Sequence, residues 1–269
     1  AKKRNVKTIV GLFGDSSVTE ELKKYGNASL VVANNVFNHS NKPLDFVNSV
    51  SKLLSSEGYF IFEQPYWLTG LRAGKFDQIY HEHVSYFTVK SAKALLEKAG
   101  LSIFKAQIVN YHGGSLRIIA KKTINFFDEP LEVKKMIQEE EDYGTFKVET
   151  YKKFMDEINN QKNLFLVRVF DLKQKGKSII AVGAAAKGNT FLNFYNLDKT
   201  VIDYVTDSSP HKIGKYTPAT RILIVGDEIF SKYSEVYALL LSWNLKDQLL
   251  PILSKINPKI QFMSPEEIQ

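Results

Sequence analysis

A chain of 269 residues, 44% hydrophobic and 24% charged, has room for one large or two medium domains of ordinary globular composition. Its zero cysteines exclude disulfides and thiolate chemistry within these residues, and no apolar run approaches the roughly 20 residues of a membrane helix. The net charge of +7 admits phosphorylated small substrates, but the basic residues are scattered without an aromatic-interleaved stripe, so nucleic acid is not an expected partner.

From the amino end, the β-branched run from Val6 to Phe13 predicts a strand. Thr19 to Tyr25 then predicts a short helix capped by Ser16 or Ser17. Leu30 to Ala33 reads as a buried strand closing on Asn34-Asn35, and Leu44 to Leu54 has helical apolar spacing ended by Gly58. Tyr59 to Phe62 supplies the next strand. After an irregular stretch, Val89 to Ala99 predicts a helix stopped by Gly100. Leu101 to Val109 and Leu116 to Ala120 follow as strands, antiparallel because their connection is short. Residues 128 to 175 are charged and helix-like, and the acidic run Glu139 to Asp142 reads as a solvated face. From Lys177 an α/β pattern restarts: strands at 178–182, 201–206, 222–225 and 236–241, a helix opening within Gly183 to Thr190, a helix near 245–253, and a terminal strand at 260–262. The division expected is 1–122, a helical connector at 123–175, and a carboxyl-terminal domain at 176–269.

Chemistry concentrates in Tyr80-His81-Glu82-His83 and in His112-Gly113-Gly114-Ser115-Leu116-Arg117, which hold three of the five histidines. Imidazole takes or gives a proton near neutrality, so this cluster points to proton transfer, with His83 the candidate base. Glu82 and Tyr80 are candidates to orient it or to stabilise developing negative charge, and His39, in another post-strand loop, is a second acid/base candidate. His112-Gly113-Gly114 reads as a tight turn or a substrate contact, and Arg117 as the partner of an acid or of a phosphate. Lys187, in the small-residue turn from strand to helix, admits a phosphate contact, though close packing explains the same residues. Asn34 and Asn35 are either turn formers or the border of a cofactor site. His81-Glu82-His83 lacks the spaced carboxylate of a recognisable metal set, so no metal is expected.

Taken in order, Ala33-Asn34-Asn35-Val36-Phe37-Asn38-His39, Glu63-Gln64-Pro65-Tyr66, Asp77 to His83, His112 to Arg117, Gly183 to Thr190, and Ile202 to Asp207 resemble the nucleotide-sugar C-methyltransferase family. The resemblance runs from about residue 6 to the carboxyl end. It implies an α/β fold, an incomplete class I methyltransferase Rossmann-like sheet with a second, carboxyl-terminal Rossmann-like domain. It also implies S-adenosylmethionine as cofactor, a nucleotide-diphosphate sugar as substrate, and C-methylation of a keto-deoxysugar through an enolate; a cytoplasmic location is the expectation from the lack of cysteine and of an opening signal peptide. Tyr80, Glu82, His83 and His39 match the family's active-site positions. The family's amino-terminal zinc module, first strand with its Gly-rich loop, and acid after the second strand have no counterpart here. These residues alone are therefore expected to bind cofactor poorly, with Val6 to Phe13 unpartnered and Leu30 to Ala33 at an exposed edge. A module that binds a nucleotide-sugar without methylating it is the alternative.

Overall fold

A computed structural model describes residues 4–111, 113–123 and 128–264. The chain divides into two compact units, one of residues 1–73 and 81–150, the other of residues 74–80 and 151–269.

In the first unit, helix α1 (Ser16–Lys23) leads to β1 (Ala28–Asn34), α2 (Pro43–Leu53), β2 (Leu54–Pro65), α3 (Trp67–Arg72), α4 (Val89–Lys98), the hairpin β3 (Leu101–Val109) and β4 (Ser115–Lys122), and α5 (Leu131–Asp142). The four strands lie in the order β1-β2-β4-β3, with β1 parallel to β2 and the other pairs antiparallel. The core is aromatic. Phe37 sits with its ring centroid 4.8 Å from Phe46, 5.2 Å from Phe62 and 5.0 Å from Phe87, distances at which edge and offset stacking add to area burial.

Four expectations change. Residues 6–10 form no strand, and Val10 is 91% exposed. A β-branched run becomes a strand only where a neighbour takes its backbone hydrogen bonds, and β1 closes the sheet as an edge with Leu30 and Val32 each 54% exposed. The first helix begins at Ser16 with Asp15 as N-cap and no side-chain capping bond, so neither serine caps it. Gly58 does not end α2, which stops at Leu53; it lies within β2, where a Cβ would fall 2.7 Å from the Ala28 carbonyl oxygen. Beside the bulge between Ala28 and Leu30, only glycine permits that approach. Finally, the acidic run is not uniformly solvated, because Glu140 is fully buried.

The second unit has β5 (Ile179–Val182), α7 (Ala186–Phe194), β6 (Tyr204–Thr206), β7 (Ile224–Val225), β8 (Val236–Leu240), α8 (Lys246–Ile256) and β9 (Ile260–Met263). Most of the long helix α6 (Val148–Gln174) belongs to it as well. All its strands are parallel, in the order β7-β6-β5-β8-β9. Every residue of β5 is buried, as a central parallel strand covered on both faces requires. Ile179 and Ala181 pack with Phe165 and Val169 of α6 and Leu192 of α7, whereas Ile180 and Val182 pack with Phe230 and with Leu253 of α8. From β5 the chain builds outward to β6 and β7 on one side, then to β8 and β9 on the other. The carboxyl end of β5 is thus a topological switch point, where open α/β sheets bind ligands.

Candidate active site

At the carboxyl ends of β1 and β2, the core itself positions the candidate chemistry. Phe37, Asn38 and His39 form a single 3₁₀ turn; Phe37 is fully buried among the aromatics and Asn38 is buried, while His39 is exposed. Phe87, stacked on Phe37, fixes the return of the loop that carries His81, Glu82 and His83. That loop is pinned by backbone bonds: the Val84 and Ser85 N–H groups both donate to the Asn38 carbonyl at 3.0 Å, and the Trp67 N–H donates to the Phe87 carbonyl. As a result the His39 and His83 rings meet nearly edge to face, with centroids 5.3 Å apart, and Tyr86 lies 6.5 Å from His83 and 4.7 Å from Trp67.

The remaining candidates in this unit distribute unevenly. His81 and Glu82 are exposed, with Nε2 and Oε1 3.9 Å apart. Asn34 is exposed at the end of β1, and Asn35 adopts a left-handed conformation (φ 50°) while its N–H donates to the Glu63 carbonyl at 2.7 Å. Asparagine is among the residues that tolerate that region. Arg117 takes the acid-partner geometry: its Nη2 and Nε approach Glu63 Oε2 at 2.7 and 2.9 Å, directly across the β2–β4 pair. His112 lies outside the described residues. Tyr80 is half-buried and ends the short segment that belongs to the second unit. Among the described residues, no group of three or more His, Asp or Glu is arranged to hold a metal ion.

Two residues of this unit carry weight that composition did not signal. Gln64 is fully buried at the end of β2, and among the described residues neither its carboxamide oxygen nor its nitrogen has a hydrogen-bond partner. Glu140 accepts bonds from the Tyr66 hydroxyl (2.9 Å) and from the Val89 and Lys90 N–H groups, so it caps α4 from a distant helix. Burial pushes its carboxyl up and pushes the Tyr66 phenol up as well; for Glu140 the hydrogen bonds from Lys90, Val89 and Tyr66 oppose that rise.

In the second unit, Lys187 sits in the first turn of α7 with its ammonium 4.4 Å from the centre of the Trp243 indole. Lys75 approaches the same ring at 4.8 Å, and the Trp243 indole N–H donates to Asp77 Oδ2 at 2.7 Å. Burial raises the Asp77 carboxyl, against the pull of Trp243, Lys187 and Lys75. The loop after β5 is tied down by Asp207, whose carboxylate accepts from the Ala184 N–H at 3.1 Å and from Lys212 at 2.8 Å. Gly183, at φ 99°, abuts Ser242, whose Oγ would lie 2.1 Å from any Cβ there. The loops after β5 and β8 therefore close against each other at the switch point.

Comparison with known proteins identifies the family. A family model described as the C-methyltransferase C-terminal domain matches residues 110–263, more than half of the chain, and a methyltransferase domain model matches residues 7–106. C-methyltransferase NovU from Streptomyces niveus is 31% identical over 250 residues, covering 93% of this chain and 60% of that protein. The chain thus spans about three-fifths of the length of that relative. Among solved structures, an O-methyltransferase from neocarzinostatin biosynthesis (NcsB1) overlays with a TM-score of 0.34 and 13% identity, covering 45% of this chain and 34% of its own. Magnesium protoporphyrin IX methyltransferase from Synechocystis overlays at 0.30 and 14% identity, covering 36% and 46%. The matching family model, spread across both units and over most of the second, shows that this chain belongs to the C-methyltransferase family.

Proposed function

We propose that this chain carries the methyl-acceptor chemistry of an S-adenosylmethionine-dependent C-methyltransferase acting on a nucleotide-linked keto-deoxysugar. The observation that carries the reading is the meeting of two imidazoles from separate loops, His39 and His83, at the carboxyl end of the sheet. The reaction removes a proton from the carbon beside a ketone, and the electron pair left behind delocalises onto the carbonyl oxygen as an enolate. His83 is the base that takes this proton. Glu82 and Tyr80 orient that base or stabilise the enolate oxygen, and His39 serves as a second proton donor or acceptor. S-adenosylmethionine, when bound, supplies the electrophilic methyl that the enolate carbon takes up.

The end of β1 has donors that fit part of such a cofactor. Exposed Asn34 and left-handed Asn35 offer amide donors and acceptors beside the exposed apolar Val36, a combination suited to the polar edge and flat face of an adenosine. Within the first unit, Arg117, held by Glu63, is a candidate contact for a sugar diphosphate, as is His112; within the second unit, Lys187 is a separate candidate.

Solvent exchange tests the proton step without the methyl donor. The protein incubated with its ketosugar in deuterium oxide should wash deuterium into the carbon beside the ketone. His83→Gln should slow that exchange and methyl transfer together, by about 100-fold or more. Undiminished exchange in His83→Gln removes the base from this proposal. Tight sugar binding with neither exchange nor transfer leaves a binding module instead.

A further inference from the structure

The second unit holds, within itself, the parts of a nucleotide-binding βαβ segment. Gly183-Ala184-Ala185-Ala186-Lys187-Gly188 follows β5 and opens α7 with the spacing G-x-A-x-x-G, the dinucleotide fingerprint G-x-G-x-x-G with alanine at its second glycine. Contact requires both remaining glycines. Gly183 abuts Ser242, and a Cβ on Gly188 would lie 2.9 Å from Leu241 Cβ and 3.0 Å from the Gly183 carbonyl oxygen. β6 runs parallel to β5, and Asp207 follows its last residue. In dinucleotide-binding units an acid about 20 residues beyond the glycines accepts the ribose 2′-hydroxyl.

Here the carboxylate is already engaged. One oxygen of Asp207 accepts the Ser209 N–H at 2.9 Å, and the other accepts the Ala184 N–H at 3.1 Å and the Lys212 ammonium at 2.8 Å. Lys212 also donates to the Ala184 carbonyl at 2.9 Å, so its ammonium bridges the loops after β5 and β6. The cavity lined by Gly183, Ala184, Asn189, Val205, Thr217 and Pro218 has a volume of about 50 Å³, room for a few waters, whereas ligand pockets start at about 300 Å³. A bond charged on both sides is also stronger than the bond a neutral hydroxyl would make to the same carboxylate. We infer that Lys212 is a specificity-determining residue of the second unit: it takes the carboxylate that a ribose would use and so closes this nucleotide-type fold to adenosine-based ligands, the methyl donor included. The inference goes beyond the catalytic reading and does not depend on it.

The test titrates the full chain with adenosine and with 2′-deoxyadenosine by calorimetry. It compares wild type, Lys212→Ala, Lys212→Gln, Asp207→Ala and the double variant Lys212→Ala with Asp207→Ala. No methyl transfer is needed, so a failure of the catalytic reading leaves the outcome interpretable. Lys212→Ala frees a carboxylate oxygen and should tighten adenosine binding by ~10-fold or more, with a smaller gain for 2′-deoxyadenosine, which lacks the hydroxyl concerned. The double variant should return to the wild-type affinity. Lys212→Gln drops the charge while keeping a donor for the Ala184 carbonyl, and it should show the gain where Lys212→Ala does not fold. Adenosine affinity unchanged in the folded Lys212 variants overturns the proposal. A gain that persists in the double variant, or one equal for both nucleosides, also overturns it, because the ribose would not then be meeting the carboxylate. So does a loss of wild-type adenosine affinity in Asp207→Ala alone, since that carboxylate would already be open.

Discussion

Glu63 and Arg117 stand directly opposite each other on β2 and β4, and the guanidinium places two nitrogens on one carboxylate oxygen of a nearly buried acid. Because the Glu63 carbonyl also receives the Asn35 N–H, this pair braces the strand end from which the candidate site departs.

Removing only the cation should therefore cost more than removing the pair. Arg117→Met is expected to destabilise by about 1–3 kcal/mol, the partly exposed guanidinium placing it below a fully buried pair. Arg117→Met with Glu63→Leu should recover most of the loss. Urea unfolding of the two single variants and the double variant measures the coupling, and strict additivity would show that the pair contributes nothing.

Glu140 makes a sharper case. Its carboxylate receives a phenol and two helix-terminal N–H groups, so Glu140→Ala should cost about 2–4 kcal/mol by leaving those donors unpaired. Glu139→Ala, one residue away and exposed, should stay within about 0.5 kcal/mol. Equal effects at the two positions would mean that the cap does not matter.

Gln64 predicts the opposite sign. A buried carboxamide with both polar atoms unpaired is a liability that an apolar side chain of similar length relieves. Gln64→Met is expected to raise unfolding stability by about 1–2 kcal/mol. A destabilised variant in thermal or urea melts would show that the amide is engaged in solution.

Asp207 predicts acid sensitivity. Burial alone would raise its carboxyl, but the Lys212 bond and the Ser209 and Ala184 N–H groups together hold it below the ordinary 3.8. Between the folded value and 3.8 the unfolded chain binds more protons, so stability from this group is present above 3.8 and lost as pH falls through the lower folded value. Stability curves of wild type and Asp207→Asn should therefore converge on acidification below about pH 4. Parallel curves across that range would exclude the linkage.

Much of the fold was legible because local pattern and final burial agree. The apolar spacing of α2 places Phe46, Val47, Val50 and Leu53 on one buried face, and the short connection between β3 and β4 admits only an antiparallel pair. The run from Val6 to Phe13 misleads for the same reason in reverse: its propensity is real, but a strand needs a neighbouring backbone, which propensity does not report. At the candidate site, the imidazole cluster made His83 the expected base and the place after a strand made His39 a second candidate, and the structure brings these two rings together. Glu140, Gln64 and Asp77 carried no such signal, since a charge or amide in sequence says nothing about whether water will reach it.

From residue order alone came the α/β alternation, the absence of thiol chemistry, and the placing of candidate histidines in loops beside strand-like runs. These follow from side-chain chemistry and periodicity, which act over a few residues. Only the tertiary structure decided that Glu140 caps α4, that Arg117 answers Glu63, and that Asp77 rests on Trp243. Each such pairing joins distant segments whose approach is set by packing of the whole core, and burial then determines what each polar group costs or holds in place.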